Sequence, residues 1–239
     1  MNWTWPSLRA QLAQWPDRSL AVVYPRWCPT CGDWLPDRGS VCRPCFADLE
    51  RPPSFTRPEA GLLRLRMGYP IFQHACAGLE FHRGGSPQRL IHVMKYGQRP
   101  DLARHVGRLL GEELTTATWW RSYDALMPVP LHPRRQRQRG YNQSERLAQG
   151  LRAEMNLPVR LDLARRIRNT RSQTGLSRDE REANVADAFV AEPAAAGLRL
   201  LLVDDVVTTG ATLLSLASSF ARVGVNGLGI LVLADAFSE

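Results

Sequence analysis

The segment Leu201–Leu213 restricts the fold of this chain more than any other part of the sequence. An apolar run ends there in two adjacent acids, Asp204 and Asp205, and a loop of small residues then leads into a helical pattern. The preceding Leu198–Val203 is apolar except for Arg199, which is typical of a strand buried inside a parallel sheet. Ligands of open α/β sheets bind where such strands end, so this loop is expected at the binding edge.

The loop after this strand has the composition of a sugar-phosphate site. Backbone N–H groups and a helix N-terminus suit a phosphate, threonine hydroxyls add donors, and Gly210 lets the backbone approach the anion closely. The two carboxylates can accept hydrogen bonds from a sugar diol. The alternative is a plain strand–turn–helix, but paired acids at the end of a buried strand are costly without partners. The predicted ribose 5-phosphate site consists of Asp204, Asp205, Val206, Val207, Thr208, Thr209, Gly210, Ala211 and Thr212.

Strand and helix patterns alternate along the rest of the chain. This alternation predicts an α/β fold, a doubly wound and mainly parallel sheet. The predicted strands, besides the one above, are Cys76–Phe81, Asp124–Val129, Leu228–Leu233 and, flanking a long polar segment, Val159–Leu163 and Phe189–Val190. The predicted helices are one with Ser86 as N-cap and Pro87 at the first helical position, one after Pro100, and Asn142–Met155 and Gly210–Val223.

The N-terminal sequence carries no targeting or membrane signal that we can identify. It lacks a long apolar region after a basic start, and no stretch of the chain is apolar enough for a membrane span. We therefore expect a cytoplasmic protein. The proline-rich Arg51–Pro58 is typical of a linker, which predicts a small module with its linker over residues 1–58 and a larger domain over residues 59–239.

The N-terminal module holds two CxxC pairs. Ten residues separate the pair Cys28 and Cys31 from the pair Cys42 and Cys45, a spacing that suits tetrahedral zinc with four thiolate ligands. Such a zinc ion would be structural, because no coordination position is left open. Disulfides are the alternative, and a cytoplasmic location disfavours them. Cys76 falls in an apolar strand and is predicted to be an inert core residue.

The charge of the chain favours anionic partners. The net charge is +8 with a pI near 9.8, which suits nucleotides, polyphosphates or nucleic acid, although a moderate positive charge also serves solubility alone. Lys and Arg together number 31, and the single Lys is Lys95. A lone Lys among arginines either fills a role that the planar Arg fork cannot, or survives by chance.

Several ordered motifs resemble the ComF/GntX family, a branch of the type I phosphoribosyltransferases linked to natural competence and DNA uptake. Together with the phosphate loop, these motifs cover most of residues 75–235. The CxxC pairs match the family's N-terminal module. The resemblance implies binding of phosphoribosyl pyrophosphate (PRPP) with Mg²⁺. In 6-oxopurine phosphoribosyltransferases the position of Thr208 is an aspartate that serves as catalytic base, so Thr208 argues against hypoxanthine or guanine as acceptor. The motifs are Lys95–Pro100, Val129–Arg135, Arg139–Ser144, Arg166–Thr170, Gln173, Leu176, Arg181 and Asn184.

The resemblance also implies roles for the basic residues. The segment from His132 to Arg139 lies where the family has its pyrophosphate loop, and guanidinium forks suit phosphate oxygens. A solvated basic loop and a nucleic-acid patch are the alternatives, and His132 is either a phosphate donor or part of the turn. Asn142 with Glu145 resembles a capping box. The implied pyrophosphate-binding residues are Pro130, Leu131, His132, Arg134, Arg135 and Arg139.

The implied catalytic residues are Asp204 and Asp205 on the ribose, assisted by Lys95 or by arginines of a closing loop. Arg165–Asp187 is long and polar, and resembles that mobile loop. Arg166, Arg168, Gln173 and Arg181 are its implied functional residues, whereas Asn184 and Phe189 are expected to anchor its return to the sheet.

Two functions follow as hypotheses. The first is an enzyme that transfers ribose 5-phosphate from PRPP to an unknown acceptor. The second is a non-catalytic adaptor of DNA uptake that binds single-stranded DNA, with or without other competence proteins. The tryptophans near the N-terminus fit either view, since they can pack around the metal or stack on bases.

Overall fold

The computed structural model describes residues 27–35, 40–59, 71–168 and 187–236. The strands are β1 (Phe72–Glu80), β2 (Ala125–Pro128), β3 (Ala164–Arg166), β4 (Phe189–Ala191), β5 (Arg199–Val207) and β6 (Gly227–Asp235). The α-helices are α1 (Arg43–Ala47), α2 (Pro53–Thr56), α3 (Ser86–Tyr96), α4 (Pro100–Leu114), α5 (Pro133–Arg139), α6 (Gln143–Met155) and α7 (Ala211–Arg222). Short 3-10 turns cover Trp119–Ser122 and Pro193–Ala195.

The central sheet has four parallel strands in the order β1-β6-β5-β2, while β3 and β4 form a separate antiparallel pair. One row of the sheet runs through Ala75, Ile230, Leu202 and Met127. Because the four strands run in one direction, all their carboxyl ends meet at one edge. The predicted α/β fold with a mainly parallel sheet is confirmed.

Helices cover both faces of the sheet. Successive residues of a strand point to opposite faces, so Leu201 and Val203 pack with α3, α4 and α6, whereas Leu200 and Leu202 pack with α7 and the β3–β4 pair. All four leucine and valine side chains are fully buried. The apolar run in the sequence therefore reflects a strand with a core on each side.

Helices α4 and α6 cross closely because α4 has glycine at the contact. A Cβ atom on Gly107 would lie 2.2 Å from the backbone oxygen of Leu147. No side chain fits there, so Gly107 lets the two backbones touch. This contact fixes the position of α6, whose N-terminus reaches the binding edge of the sheet.

The cysteine-containing segment packs against α4. Its Phe46 is 2% exposed and belongs to the same apolar cluster as α4. Arg43 pairs with Glu112 at 2.9 Å, and Arg51 pairs with Glu113 at 2.6 Å. Phe46 and the half-buried Arg51 therefore tie the segment to the α/β domain, and the boundary at residue 58 remains a prediction.

The structure corrects three details of the sequence analysis. Helix α3 has Gly85 as its N-cap and no side-chain cap, so Ser86 is its first helical residue and not the cap. The predicted strand Val159–Leu163 is reduced to an isolated bridge between Val159 and Leu126, since the chain there turns away to form β3. The supposed basic loop contains a helix, α5. Among the described residues, no helix is long and apolar enough to cross a membrane.

Helix α5 forms because both of its ends are defined locally. His132 Nδ1 accepts a hydrogen bond of 3.2 Å from the backbone N–H of Arg134, and Pro133 begins the helix. Gly140 ends it in the left-handed conformation. His132 thus caps the helix through Nδ1, and its predicted role as a phosphate donor stays a prediction.

Candidate functional site

A cleft of about 280 Å³ opens at the carboxyl edge of the sheet, between the ends of β2 and β5. It brings together residues from α3, α5, α6, β3 and the loop after β5. The lining consists of Lys95, Tyr96, Val129, Pro130, Leu131, Arg135, Arg139, Asn142, Gln143, Ser144, Arg166, Asp204, Asp205, Val206, Thr208 and Thr212.

Two adjacent carboxylates form the floor of the cleft. Asp205 is 4% exposed, and its Oδ2 lies 3.2 Å from Lys95 Nζ, close enough for an ion pair. The same oxygen has no aligned hydrogen-bond donor among the described residues. Asp204 Oδ1 accepts hydrogen bonds from Ser144 Oγ at 2.8 Å and from the backbone N–H of Asp205 at 2.9 Å. The acids therefore have the partners that their burial requires, while one oxygen retains unused accepting capacity.

Burial and the neighbouring Asp205 change the ionisation of Asp204. Burial raises the pKa of Asp204 to about 7, and the neighbouring charge of Asp205 adds to the effect. The hydroxyl of Ser144 and the ammonium of Lys95 act in the opposite direction but do not cancel it. Asp204 therefore changes charge near neutral pH, which is typical of functional sites.

Lys95 is held at this site by the residue before it. The buried Tyr141 donates a hydrogen bond from its hydroxyl to the carbonyl of Met94, which anchors the last turn of α3. The side chain of Lys95 is 21% exposed and reaches down to Asp205. The one lysine of the chain thus lies in the cleft, at a distance where a compact ammonium fits beside a buried carboxylate.

Three arginines form the opposite wall. Arg135 and Arg139 are four residues apart on α5 and so share a face of the helix, where like charges repel. Burial, followed by the charge of Arg139, lowers the pKa of Arg135. Burial also lowers the pKa of Arg166 to about 10, with Arg135 contributing, and its guanidinium lies 5.2 Å from the ring centroid of Phe189. Cations crowded in this way favour an anionic ligand between them.

The loop after β5 has the conformation of an anion cradle. Gly210 has φ of +75°, a region that suits glycine, and is the N-cap of α7. It provides no side chain that could cap α7. Thr208 and Thr212 line the cleft, whereas Thr209 Oγ1 accepts from the N–H of Ala211 at 3.4 Å. The geometry fits a phosphate at a helix N-terminus.

The structure does not bring every predicted residue to the cleft lining. His132, the half-buried N-cap of α5, and the exposed Arg134 and Arg168 do not line the cleft. Val207, Thr209, Gly210 and Ala211 shape the loop without lining the cleft. Gln173, Leu176, Arg181 and Asn184 lie outside the described residues.

Sequence reasoning missed Ser144 and Tyr96 as site residues. The signal for Ser144 was available, because Asn142 was identified as the start of a helix. Asn142 Oδ1 accepts from the N–H of Ser144 at 3.1 Å, which directs the first turn of α6 at the strand end. Glu145 does not complete a capping box, since its Oε1 accepts from Gln149 Nε2 at 3.0 Å.

A second site is formed by the four N-terminal cysteines. Their sulfur atoms all lie within 4.8 Å of one another, with 3.7 Å between Cys28 and Cys42 and 3.9 Å between Cys31 and Cys42. Zn–S bonds of about 2.3 Å place the sulfurs of a tetrahedral site about 3.8 Å apart. The cluster therefore has the size of a four-thiolate metal site.

The thiols of this cluster differ in how readily they ionise: the side chain of Cys42 raises the pKa of Cys45, whereas the local backbone favours the thiolate form of Cys28. Burial alone would raise the pKa of Cys28, but backbone hydrogen bonds from Cys31, Cys42 and Thr30 bring it down to about 6. Cys76 is fully buried elsewhere, in β1, where burial raises the pKa of its thiol to about 12. Its predicted inert role agrees with this position.

The sheet, its carboxyl-edge cleft and the acidic pair before a phosphate loop define a phosphoribosyltransferase domain. The model of the phosphoribosyl transferase domain family matches residues 93–239, so the chain belongs to this family. Within it, the chain belongs to the ComF group. It is 32% identical over 200 residues to the DNA utilization protein YhgH of Salmonella typhi, covering 82% of this chain and 78% of that protein. It is 37% identical over 116 residues to competence protein F of Haemophilus influenzae, covering 47% of this chain and 51% of that protein.

Proposed function

We propose that the cleft binds PRPP with Mg²⁺ and that the protein holds or transfers its ribose 5-phosphate during DNA uptake or utilization. The observation that carries the proposal is the pair Asp204 and Asp205, facing cations on one side and a phosphate loop on the other. PRPP carries a phosphate at one end of the ribose and a pyrophosphate at the other. A matching site therefore has hydrogen-bond donors for the phosphates at both ends and acceptors for the diol between them.

Each part of PRPP has a matching part of the cleft. The 5-phosphate fits the loop from Thr208 to Thr212, and the ribose diol fits the carboxylates. The pyrophosphate then lies along Arg135 and Arg139, where guanidinium groups bind phosphate oxygens. Mg²⁺ prefers oxygen ligands from phosphates and one or two carboxylates. Asp204 and Asp205 are the carboxylates that line the cleft in the described part of the chain.

The cleft also has the groups that a transfer reaction needs. The bond between the anomeric carbon and the pyrophosphate oxygen breaks, the electron pair leaves with pyrophosphate, and the acceptor's lone pair then forms the new bond. Arg135, Arg139 and Arg166 stabilise the charge that develops on the leaving group. Lys95 can serve the same purpose once the diol takes over contact with Asp205. Thr208 supplies no carboxylate base, so the acceptor must lose its proton in another way.

A structural zinc ion completes the proposal. Cys28, Cys31, Cys42 and Cys45 would hold it, and with four protein ligands it would stabilise the fold rather than react.

A second candidate function is binding of single-stranded DNA by a non-catalytic adaptor. Trp27 and Trp34 are 53% and 50% exposed and pair across an antiparallel bridge, and Arg99 donates a hydrogen bond of 3.0 Å to the backbone oxygen of Trp27. Exposed aromatic rings near cations can stack on bases. The names of the relatives link them to DNA utilization and competence, which is compatible with either function.

Calorimetric titration with PRPP, with and without Mg²⁺, tests the proposal. Asp204→Asn combined with Asp205→Asn removes both negative charges and one acceptor oxygen per side chain. The hydrogen bonds to the diol then lose their charge assistance, and hydrogen bonds to charged groups contribute about 1.5–3 kcal/mol each. At about 1.4 kcal/mol per decade, PRPP affinity should fall at least about tenfold. Affinity for single-stranded DNA should rise slightly instead, because the protein becomes more positive. A folded double variant that binds PRPP like the parent would refute the proposal.

The structure offers a matched control on α5. Arg135 lines the cleft and Arg134 does not, although both are adjacent arginines. Arg135→Ala should weaken PRPP binding, whereas Arg134→Ala should leave it within about twofold. Equal losses for the two variants would indicate a general basic surface.

A further inference from the structure

A second cavity of about 350 Å³ adjoins the cleft on the far side of Lys95. It is lined by residues from the end of α3 and from α5. The lining consists of Lys95, Tyr96, Gln98, Arg135, Gln138 and Arg139, of which Gln98 and Gln138 do not line the first cleft.

The cavity combines an aromatic face with cations. Tyr96 is 64% exposed, which is unusual for a large aromatic side chain inside a concave site. The Arg139 guanidinium lies 5.6 Å from the Tyr96 ring centroid, and Arg139 is also fixed by a hydrogen bond of 2.5 Å to Gln143 Oε1. An exposed ring beside an immobilised guanidinium can stack on a planar heterocycle.

Two amide side chains add hydrogen-bonding capacity. Gln98 and Gln138 can each donate and accept, as the edges of a nucleobase require. Gln98 has φ of +50°, a left-handed conformation that is uncommon for residues other than Gly, Asn and Asp. Residues with unfavourable backbone conformations are concentrated at binding sites, where the surrounding structure maintains the conformation.

The charge and size of the cavity limit the ligand. Lys95, Arg135 and Arg139 contribute three positive groups, so an anion is favoured. Small-molecule pockets span about 300–1,000 Å³, and this cavity lies near the lower end. We propose that the cavity binds a nucleotide, with its base stacked on Tyr96 and its phosphate on the cations shared with the cleft. The proposal places a nucleotide beside the ribose-phosphate site. It rests on the proposed function only in so far as the neighbouring cleft binds PRPP.

Adenosine 5′-monophosphate (AMP) is the probe for a calorimetric test. Gln138→Trp should fill the cavity and weaken AMP binding at least tenfold. Gln136→Trp is the matched control, because both glutamines are exposed on α5 but lie on opposite sides of it, two residues apart. Tyr96→Ala should weaken AMP binding about fivefold or more, since stacking contributes about 1–3 kcal/mol per base. Tyr96→Phe keeps the ring and should retain AMP binding.

Two further titrations separate this site from the first. Pyrophosphate is expected in the first cleft, which Gln138 does not line, so Gln138→Trp should change pyrophosphate affinity by less than twofold. The Asp204→Asn, Asp205→Asn double variant should keep or raise AMP affinity, because its changes lie in the other cleft and release Lys95 from its pairing with Asp205. If that variant loses AMP while Gln138→Trp binds normally, AMP occupies the ribose-phosphate cleft, which overturns the second site and supports the first. Absence of AMP binding at millimolar ligand overturns the second site and leaves PRPP binding to its own test.

Discussion

Replacing Lys95 by methionine tests whether the acidic floor of the cleft depends on its one ammonium partner. Lys95→Met keeps the length of the side chain and removes the charge 3.2 Å from Asp205. Asp205 is then a buried carboxylate beside a second acid, without a cation in contact. We expect the folded state to become substantially less stable at pH 8.

The size of the effect follows from the exposure of the pair. Breaking a buried ion pair by removing one partner costs about 3–5 kcal/mol. The Asp205 side chain is 5% exposed, but Lys95 is 21% exposed, so part of the attraction is already screened. A loss of about 3 kcal/mol is therefore expected. For a chain of this size 1 kcal/mol shifts Tm by about 2–4 °C, so Tm should fall by about 6–12 °C.

A double-mutant cycle isolates the pair. Asp205→Asn alone should cost only about 1 kcal/mol, because the partly exposed Lys95 can turn to water. In the double variant Lys95→Met, Asp205→Asn the orphaned charge is gone, so most of the 3 kcal/mol should return. Thermal unfolding followed by circular dichroism measures all four proteins. The exposed Arg104→Met is the control for losing one positive charge, and should stay within about 0.5 kcal/mol of the parent. A Lys95→Met variant as stable as Arg104→Met would refute the reasoning.

Three further predictions follow from the structure. Metal analysis should find one zinc per chain, lost in Cys28→Ser and retained in Cys76→Ser, since only the first lies in the thiolate cluster. The pKa of Asp204 is about 7 in the folded protein and about 3.9 in an unfolded chain. Protonation of Asp204 therefore adds to the free energy of unfolding in full below pH 4, and this stabilisation is lost as the pH rises through 7. Asp204→Asn should therefore stabilise the protein more at pH 8 than at pH 5, by about 1–4 kcal/mol, and equal Tm shifts at both pH values would contradict this. Gly107→Ala should destabilise by about 1–3 kcal/mol in chemical denaturation, because its Cβ would overlap the carbonyl of Leu147; an unchanged midpoint would show that α4 can move.

The regular elements could be predicted to a large extent because their signals are local. The helix Asn142–Met155 was found from its N-cap, and the structure begins it one residue later with Asn142 as the cap. Helix α5 was missed because a run of arginines lacks apolar periodicity. Its formation depends on a proline, a histidine cap and a terminal glycine, which are signals of a short turn as much as of a helix.

The candidate site divides in the same way. Asp204 and Asp205 were identified from the chain alone, since acids at the end of an apolar strand need a reason to be there. Lys95 attracts attention because it is the one lysine in the sequence. Its partner Asp205 is 110 residues away, so the sequence does not reveal the ion pair. Arg134 and Arg135 were equivalent in the sequence, and the helical rotation of α5 turned one toward the cleft and the other toward solvent.

Residues close together in the chain were enough to predict the α/β class, the acidic pair at the end of β5 and the four-cysteine cluster. Which side chains from remote segments meet at the end of β5 depends on how the helices pack. The pairing of Lys95 with Asp205, the bond from Ser144 to Asp204 and the cavity beside Tyr96 all require α3, α5 and α6 to pack at one end of the sheet. Such contacts depend on how helices cross, as at Gly107, and local patterns carry no information about the distance between segments that are remote in the chain.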